Sequence, residues 1–332
     1  MRYDDIPWEA CSPPEPDAPP LSALLGAQDV RRQAMRYHVH DRLLGSAKYA
    51  FNAVSRALPP AAGSGFGAHV LAPLAERANR KRPYYQRLLT NAERLRPDLV
   101  ATEADRRAFI SRWYENTARA MSEFARVEAL VEPPYTTTFG TEIARRTEAT
   151  GRSTIMVSVH TGMWEMASRI GAIYWFNKGT GAWQPQKNRF DNRIVAATRR
   201  RMKIKALPAG PQLGRQLFKV LAEGGQSLVM IIDEVADGGT LFPFFGREPP
   251  DRSNFAFVLR LAQRTNAYVL PLIITRTAPV RFSYGFAEPL EVAPGRDGVR
   301  EAALALNAIY EPHVIANLDQ WYMLHALRLP QG

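Results

Sequence analysis

Residues 154–166 read TIMVSVHTGMWEM, and this stretch decides how the rest is organised. TIMVSV (154–159) is a short apolar run rich in strand formers. It stops abruptly at His160, one of six histidines, with Gly162 two residues on and Glu165 five residues on. A run of that length with no polar alternation reads as a strand buried on both faces, which occurs in parallel sheets covered by helices. Three similar runs follow: SLVMIID (227–233), AYVLPLII (267–274) and VRFSYGFA (280–287), with helical windows between them. The predicted fold is therefore α/β, a mixed and largely parallel sheet covered by helices.

Upstream, from about 21 to 150, apolar residues recur at three- and four-residue spacing through Leu21–Leu25, Leu43–Leu58, Val70–Leu89 and Phe109–Val131, with few strand formers. That predicts an N-terminal helical layer (21–150) ahead of a catalytic core (151–332), together a single domain over 21–332. The segment 299–318 returns to helix. Residues 1–20 are acidic and broken by prolines, and are expected to be a disordered tail rather than a signal peptide. The chain has 332 residues, 46% of them hydrophobic, enough for a sizeable core. Forty-three Lys and Arg against 32 Asp and Glu give a net charge of +11, which suits an acidic partner: anionic lipid, nucleic acid, or a negatively charged carrier or substrate. Cys11 is the only cysteine, so no disulfide framework or cysteine metal site is expected. No stretch reaches the ~20 apolar residues of a membrane-spanning helix, so any membrane contact is expected to be peripheral.

In a parallel α/β sheet, chemistry gathers at the carboxyl ends of the strands. His160 and Asp233 are each the first ionisable residue beyond a buried run. His160 and Glu165 cannot face one another on one continuous helix, because five residues at ~100° each leave them roughly 140° apart. If a helix instead begins near Thr161 or Gly162, Glu165 falls in its first turn and can reach back to one ring nitrogen, leaving the other to accept a proton. Gly162 permits that tight approach. Free N–H groups at the helix start would then stabilise an oxyanion. Taken alone, the pair is more often an ordinary polar strand end beside a helix N-terminal carboxylate.

The wider order of residues adds to this. His160-Thr-Gly-Met-Trp-Glu165 resembles the H-x-G-N-W-E block of the bacterial lipid A biosynthesis (lauroyl/myristoyl) acyltransferases, a branch of the lysophospholipid acyltransferase superfamily marked by H-x4-D/E. Asn188 to Asp191 followed by Arg199, Arg200 and Arg201 is similar to that family's Asn-Pro…Asp…Arg block. Asp233-Glu234 is similar to its Asp-Gln-Asp, and Phe242-Pro-Phe-Phe-Gly246 to its F-x-P-F-F-G loop. Asp319-Gln-Trp-Tyr322, with His325 and Arg328 after it, resembles the terminal block. The departures are Met163 for Asn, Val235 for the second Asp, Arg189 for Pro, and the want of a recognisable hydrophobic N-terminal anchor.

The resemblance implies a glycerolipid-acyltransferase-like fold. It also implies transfer of a fatty acyl group from an acyl carrier protein thioester to a hydroxyl of a lipid A precursor or related glycolipid. No cofactor or metal would take part, and the site would lie at the cytoplasmic face of the inner membrane. His160 would be the base and Glu165 its orienter. Two other readings remain: a lysophospholipid or other acceptor acylated from acyl-CoA, and a non-catalytic basic protein that binds membranes or carriers. Arg199, Arg200 and Arg201 could bind an acceptor phosphate, though three consecutive helical residues cannot all face one site. Asp233 could orient the acceptor, fix an arginine, or merely cap a loop. Phe242, Phe244 and Phe245 could wall the acyl chain or simply close the core. Arg247 and Arg252 are further phosphate candidates, with a solvated surface the commoner role. Arg77, Arg80, Lys81 and Arg82 ahead of Tyr84 and Tyr85 could dock an acidic carrier or an anionic membrane surface. Nucleic acid is not expected, since no binding motif accompanies these residues. Gly63-Ser-Gly65-Phe-Gly67 has no preceding strand and no GK[ST], so it reads as a flexible connection rather than a nucleotide loop. Serine-hydrolase and zinc-protease motifs are missing.

Overall fold

The computed structural model describes residues 1–176, 178–236 and 238–330. In chain order its strands are β1 (Thr136–Phe139), β2 (Thr154–Ser158), β3 (Gly179–Trp183), β4 (Ile204–Pro208), β5 (Ser227–Ile231), β6 (Val235–Ala236), β7 (Gly239–Thr240), β8 (Tyr268–Ala278) and β9 (Arg281–Phe286). Seven form one sheet in the order β1-β9-β8-β2-β5-β3-β4, and β6 and β7 make a small separate hairpin. Within the large sheet β8 and β9 pair antiparallel and the other neighbours pair parallel. The expected mixed, mostly parallel sheet is what forms.

Side chains along β2 alternate between the two faces of the sheet as the pleat demands. Ile155, Val157 and Val159 join the core under helices Asn254–Thr265 and Gly295–Ala316, while Met156 points into the core under helix Met166–Tyr174. The strand is buried along its whole length, which explains its unbroken apolar sequence. Its parallel register with β5 runs from Thr154 opposite Ser227 to Ser158 opposite Ile231. Two residues further on, the same register brings His160 beside Asp233.

The helical layer forms, with helices Asp41–Ala57, Pro83–Leu95 and Glu103–Glu123 its longest members, but the expected range 21–150 also contains β1, which joins the sheet beside β9. Two local expectations differ. The segment 1–20 is not loose: Ile6 and Cys11 are buried, Lys205 Nζ donates to the Tyr3 carbonyl at 2.8 Å, and Glu15 takes both Arg193 Nε and Nη2 at 2.5 and 2.6 Å. Apolar Ile6 and Trp8 among the prolines supply enough burial to hold the segment along the β4 edge. Gly63 to Gly67 is not a flexible connection either. It lies in helix Pro60–Phe66 and the start of the next turn, and a Cβ on Gly67 would sit 2.6 Å from both Ala118 O and Ser122 Oγ. The glycine there permits close helix packing.

Candidate active site

His160 stands just past β2 in a tight turn rather than in a helix. Its Nδ1 lies 2.7 Å from Asp233 Oδ1, and its backbone N–H donates to Asp233 Oδ2 at 3.0 Å. Trp321 Nε1 donates to the same Oδ2 at 2.7 Å. Asp233 is fully buried, so three donors on one carboxylate are what its burial as an anion requires. The other ring nitrogen, Nε2, makes no hydrogen bond among the described residues, and His160 lines a cleft of about 550 Å³.

The carboxylate on the imidazole is therefore Asp233 and not Glu165, which corrects the expected pairing. The physical reason is where the helix starts. It begins at Met166, with Glu165 as its N-cap, and not near Thr161 or Gly162, so Glu165 lies ahead of the first turn from which it would reach back to Nδ1. Glu165 lines the same cleft and makes no side-chain hydrogen bond among the described residues. Burial alone would lower the His160 pKa, but the facing Asp233 charge and hydrogen bond, then Glu234 and Glu165, outweigh it and raise the pKa above its ordinary value. Glu234 is exposed at the cleft mouth, yet the protein crowding its carboxyl pushes its pKa up, with Asp233 and Glu165 adding to the rise.

The turn itself is held from behind. Thr161 Oγ1 donates to Ile274 O at 2.9 Å and meets His313 Nε2 at 3.2 Å. Gly162 has φ +59°, and a Cβ there would stand 3.1 Å from Arg276 N, so a left-handed residue without a side chain is needed. The backbone N–H groups of Gly162, Met163, Trp164 and Glu165 donate to no described residue, leaving candidates for an oxyanion. The Trp164 ring packs at 5.4 Å from the His160 ring and stacks on Tyr322, whose N–H donates to His160 O at 2.9 Å. Met163 is wholly buried, consistent with its apolar side chain.

Of the three consecutive arginines on helix Arg189–Met202, Arg199 alone enters this cleft. Its guanidinium lies over the Trp183 ring at 4.8 Å, and Nε and Nη1 are buried with no hydrogen-bond partner among the described residues, as is Trp183 Nε1. Burial lowers the Arg199 pKa, with Glu165 and Glu234 opposing the drop. Arg200 points elsewhere, over Trp8, and Arg201 bonds Glu128 at 3.1 Å and Thr198 at 3.0 Å. A rotation of ~100° per residue separates the three.

The aromatic loop is not a cleft wall. Phe242 and Phe244 are buried against Phe255, while Phe245 packs on Trp321 at 5.6 Å, one layer behind Asp233. These three aromatics close the core because Phe242 and Phe244 face inward from a tight turn in which Phe245 itself adopts φ +48°. Arg247 is tied to the Phe244 and Pro243 carbonyls, and Arg252 lines a different groove, beside Glu248 and Arg300. The basic-aromatic cluster splits: Arg77, Lys81 and Arg82 are exposed, Arg80 pairs with Glu76, and Tyr84 packs against His325.

Trp321, Tyr322 and Trp183 were not singled out as site residues by sequence reasoning. For Trp321 and Tyr322 the only signal was their place in the terminal block. No group of three or more His, Cys, Asp or Glu side chains is placed to hold a metal among the described residues. Nor is any helix among them long and apolar enough to cross a membrane.

A search of curated proteins finds no match. The family model for bacterial lipid A biosynthesis acyltransferases matches residues 33–328, which takes in the helical layer, the sheet, the His160 turn and the Trp321 segment; the chain belongs to that acyltransferase family.

Proposed function

We propose that the protein transfers a fatty acyl group from a carrier-protein thioester to a hydroxyl of a phosphorylated glycolipid, a lipid A precursor or a close relative, at the cytoplasmic face of the inner membrane. His160 is the general base. The observation that carries this reading is the 2.7 Å contact of Nδ1 with a buried carboxylate that takes three donors, while the opposite nitrogen, at a cleft, has no partner among the described residues. That arrangement fixes the proton on Nδ1 and makes Nε2 the basic atom.

The acceptor hydroxyl gives its proton to Nε2 as its oxygen attacks the thioester carbonyl. The tetrahedral oxyanion takes hydrogen bonds from the free N–H groups of the 162–165 turn. Its collapse forms the ester, breaks the C–S bond, and returns the proton from the imidazolium to the departing thiolate. Asp233 holds the imidazole and balances its charge in the transition state. Arg199, short of hydrogen-bond partners, is suited to a phosphate on the acceptor, and Trp183 Nε1 beside it could share that anion. Apolar walls from Val195, Ile204, Leu213, Met230 and Phe257 suit a hydrocarbon chain.

His160→Ala tests the assignment. Labelled acyl transfer from loaded carrier protein to the glycolipid should fall by about 10²–10⁴, with circular dichroism unchanged. Turnover within a few-fold of the parent protein would remove His160 from the mechanism.

A further inference from the structure

The helix Asp41–Ala57 is built inside out. Its inward stripe is Asp41, Gly45, Lys48, Asn52 and Ser55, all buried or half-buried. Its outward stripe, at the same three- and four-residue spacing, is Leu43, Ala47, Ala50, Val54 and Ala57, all exposed, with Leu43 70% and Val54 57% accessible. In water a helix buries its large apolar side chains and exposes its polar ones. Here the polar stripe is used for docking: Lys48 Nζ meets Asp191 Oδ2 at 2.6 Å, Asn188 Nδ2 donates to Asp41 O at 3.3 Å, and Gly45 lies under the Phe190 ring.

The next arm repeats the inversion. Through helix Pro60–Phe66, the wider turn Gly67–Leu71 and helix Ala72–Asn79, the buried residues are Pro60, Gly63, Ser64, Gly67, Ala68 and Ala72, while the larger Phe66, Val70 and Leu74 are exposed. From Ala57 to Ala75 the chain carries no Asp, Glu, Lys or Arg. Phe51 and Phe66 touch across the two arms, with ring centroids 6.0 Å apart. Small residues inside and large apolar residues outside is the pattern of helices packed in hydrocarbon.

We infer that residues 41–74 form a hairpin that embeds in one leaflet of a lipid bilayer, so that the protein is held by hydrocarbon contact rather than by surface charge alone. At 1.5 Å per residue the seventeen-residue helix is about 25 Å long, short of a ~30 Å hydrocarbon core, so the hairpin dips in and does not cross. Charge selects the bilayer over a second copy of the chain. Arg31, Arg32 and Arg36 are exposed just ahead of the hairpin, among the exposed Val30, Met35 and Val39, and Arg42 is exposed at its first turn. Phosphate headgroups would neutralise these arginines, whereas a twofold contact would set them against each other. This deepens the membrane-surface part of the function proposed above and does not depend on the catalytic part.

The test is vesicle flotation of the full chain. The parent protein should float with neutral phosphatidylcholine vesicles even in about 1 M salt, where the Debye length is ~3 Å. The double variant Leu43→Asp, Val54→Asp should lose partitioning by at least about tenfold, while keeping its circular dichroism and its turnover on detergent-dispersed acceptor. Leu304→Asp, an exposed leucine on helix Gly295–Ala316, should float like the parent. Parent binding that needs anionic lipid and vanishes in salt, a double variant that floats unchanged, or a solution dimer that the double variant abolishes would each overturn the inference. Flotation without any acyl transfer would count against the proposed chemistry alone.

Discussion

Replacing Asp233 by Asn tests the site where the structure is most explicit. The carboxylate takes Nδ1 of His160 on Oδ1, and takes both the His160 backbone N–H and Trp321 Nε1 on Oδ2. An amide offers one oxygen and one NH2. If the NH2 took the Oδ2 place, two donors would face a donor. The amide therefore keeps its oxygen there and presents NH2 to Nδ1, forcing that nitrogen to accept. The proton then moves to Nε2, the atom that has to be basic. One charge-assisted hydrogen bond is weakened, a cost of about 1.5–3 kcal/mol in stability, while the wrong tautomer should lower the plateau of kcat by about 10²–10⁴. The pH profile moves as well. Asp233 is the largest influence raising the His160 pKa against its burial, so removing its charge should shift the acid limb of kcat toward lower pH even as the plateau drops. Steady-state acyl transfer between pH 5 and 9 measures both. A plateau within about threefold of the parent and an unmoved acid limb would refute the role given to this carboxylate.

Further expectations concern separate parts of the molecule. Arg199→Ala should raise the KM for a phosphorylated acceptor by about tenfold or more, while Arg200→Ala, turned about 100° away over Trp8, should leave it within about twofold; equal effects would dissolve the distinction drawn from the helix geometry. His313, half-buried behind Thr161, has its pKa pushed down to about 4 by the protein crowding its ring. Its unfolded form binds a proton from about pH 6.5 downward and its folded form does not, so it should cost stability as pH falls from 6.5 toward 4, up to roughly 3 kcal/mol. His160, with its raised pKa, works in the opposite sense: its contribution is full below its unfolded value and fades as pH rises through the folded one. Thermal melts of His313→Asn against the parent across that acid range should show the parent losing its midpoint faster, and parallel curves would count against the assignment.

The strands legible in the sequence were those buried on both faces, because an uninterrupted apolar run survives without help from its neighbours. β3 reads GTGAW and β4 reads IKALP, with glycines, a lysine and a proline inside them. They become strands because β5 and the segment carrying Tyr3 and Trp8 give them partners, and that information is nonlocal. The site was half legible for a related reason. His160 and Asp233 each stood out as the first charge past a buried run, but their pairing depends on the β2–β5 register, which local spacing cannot supply. Spacing alone favoured Glu165, five residues away, over Asp233, 73 residues away. The inverted hairpin escaped notice because periodicity locates an apolar face without saying which way it points.

The carboxylate at the centre of the site draws its donors from residues 160 and 321, and Tyr322 clasps the carbonyl of His160. A chain growing on the ribosome therefore exposes its acid and its imidazole long before the indole that completes their cage has been made. Until that late segment folds back across the sheet, the buried charge stays short of a partner and water can reach it. Assembly of this centre is thus deferred until residues 321 and 322 have been made and folded back.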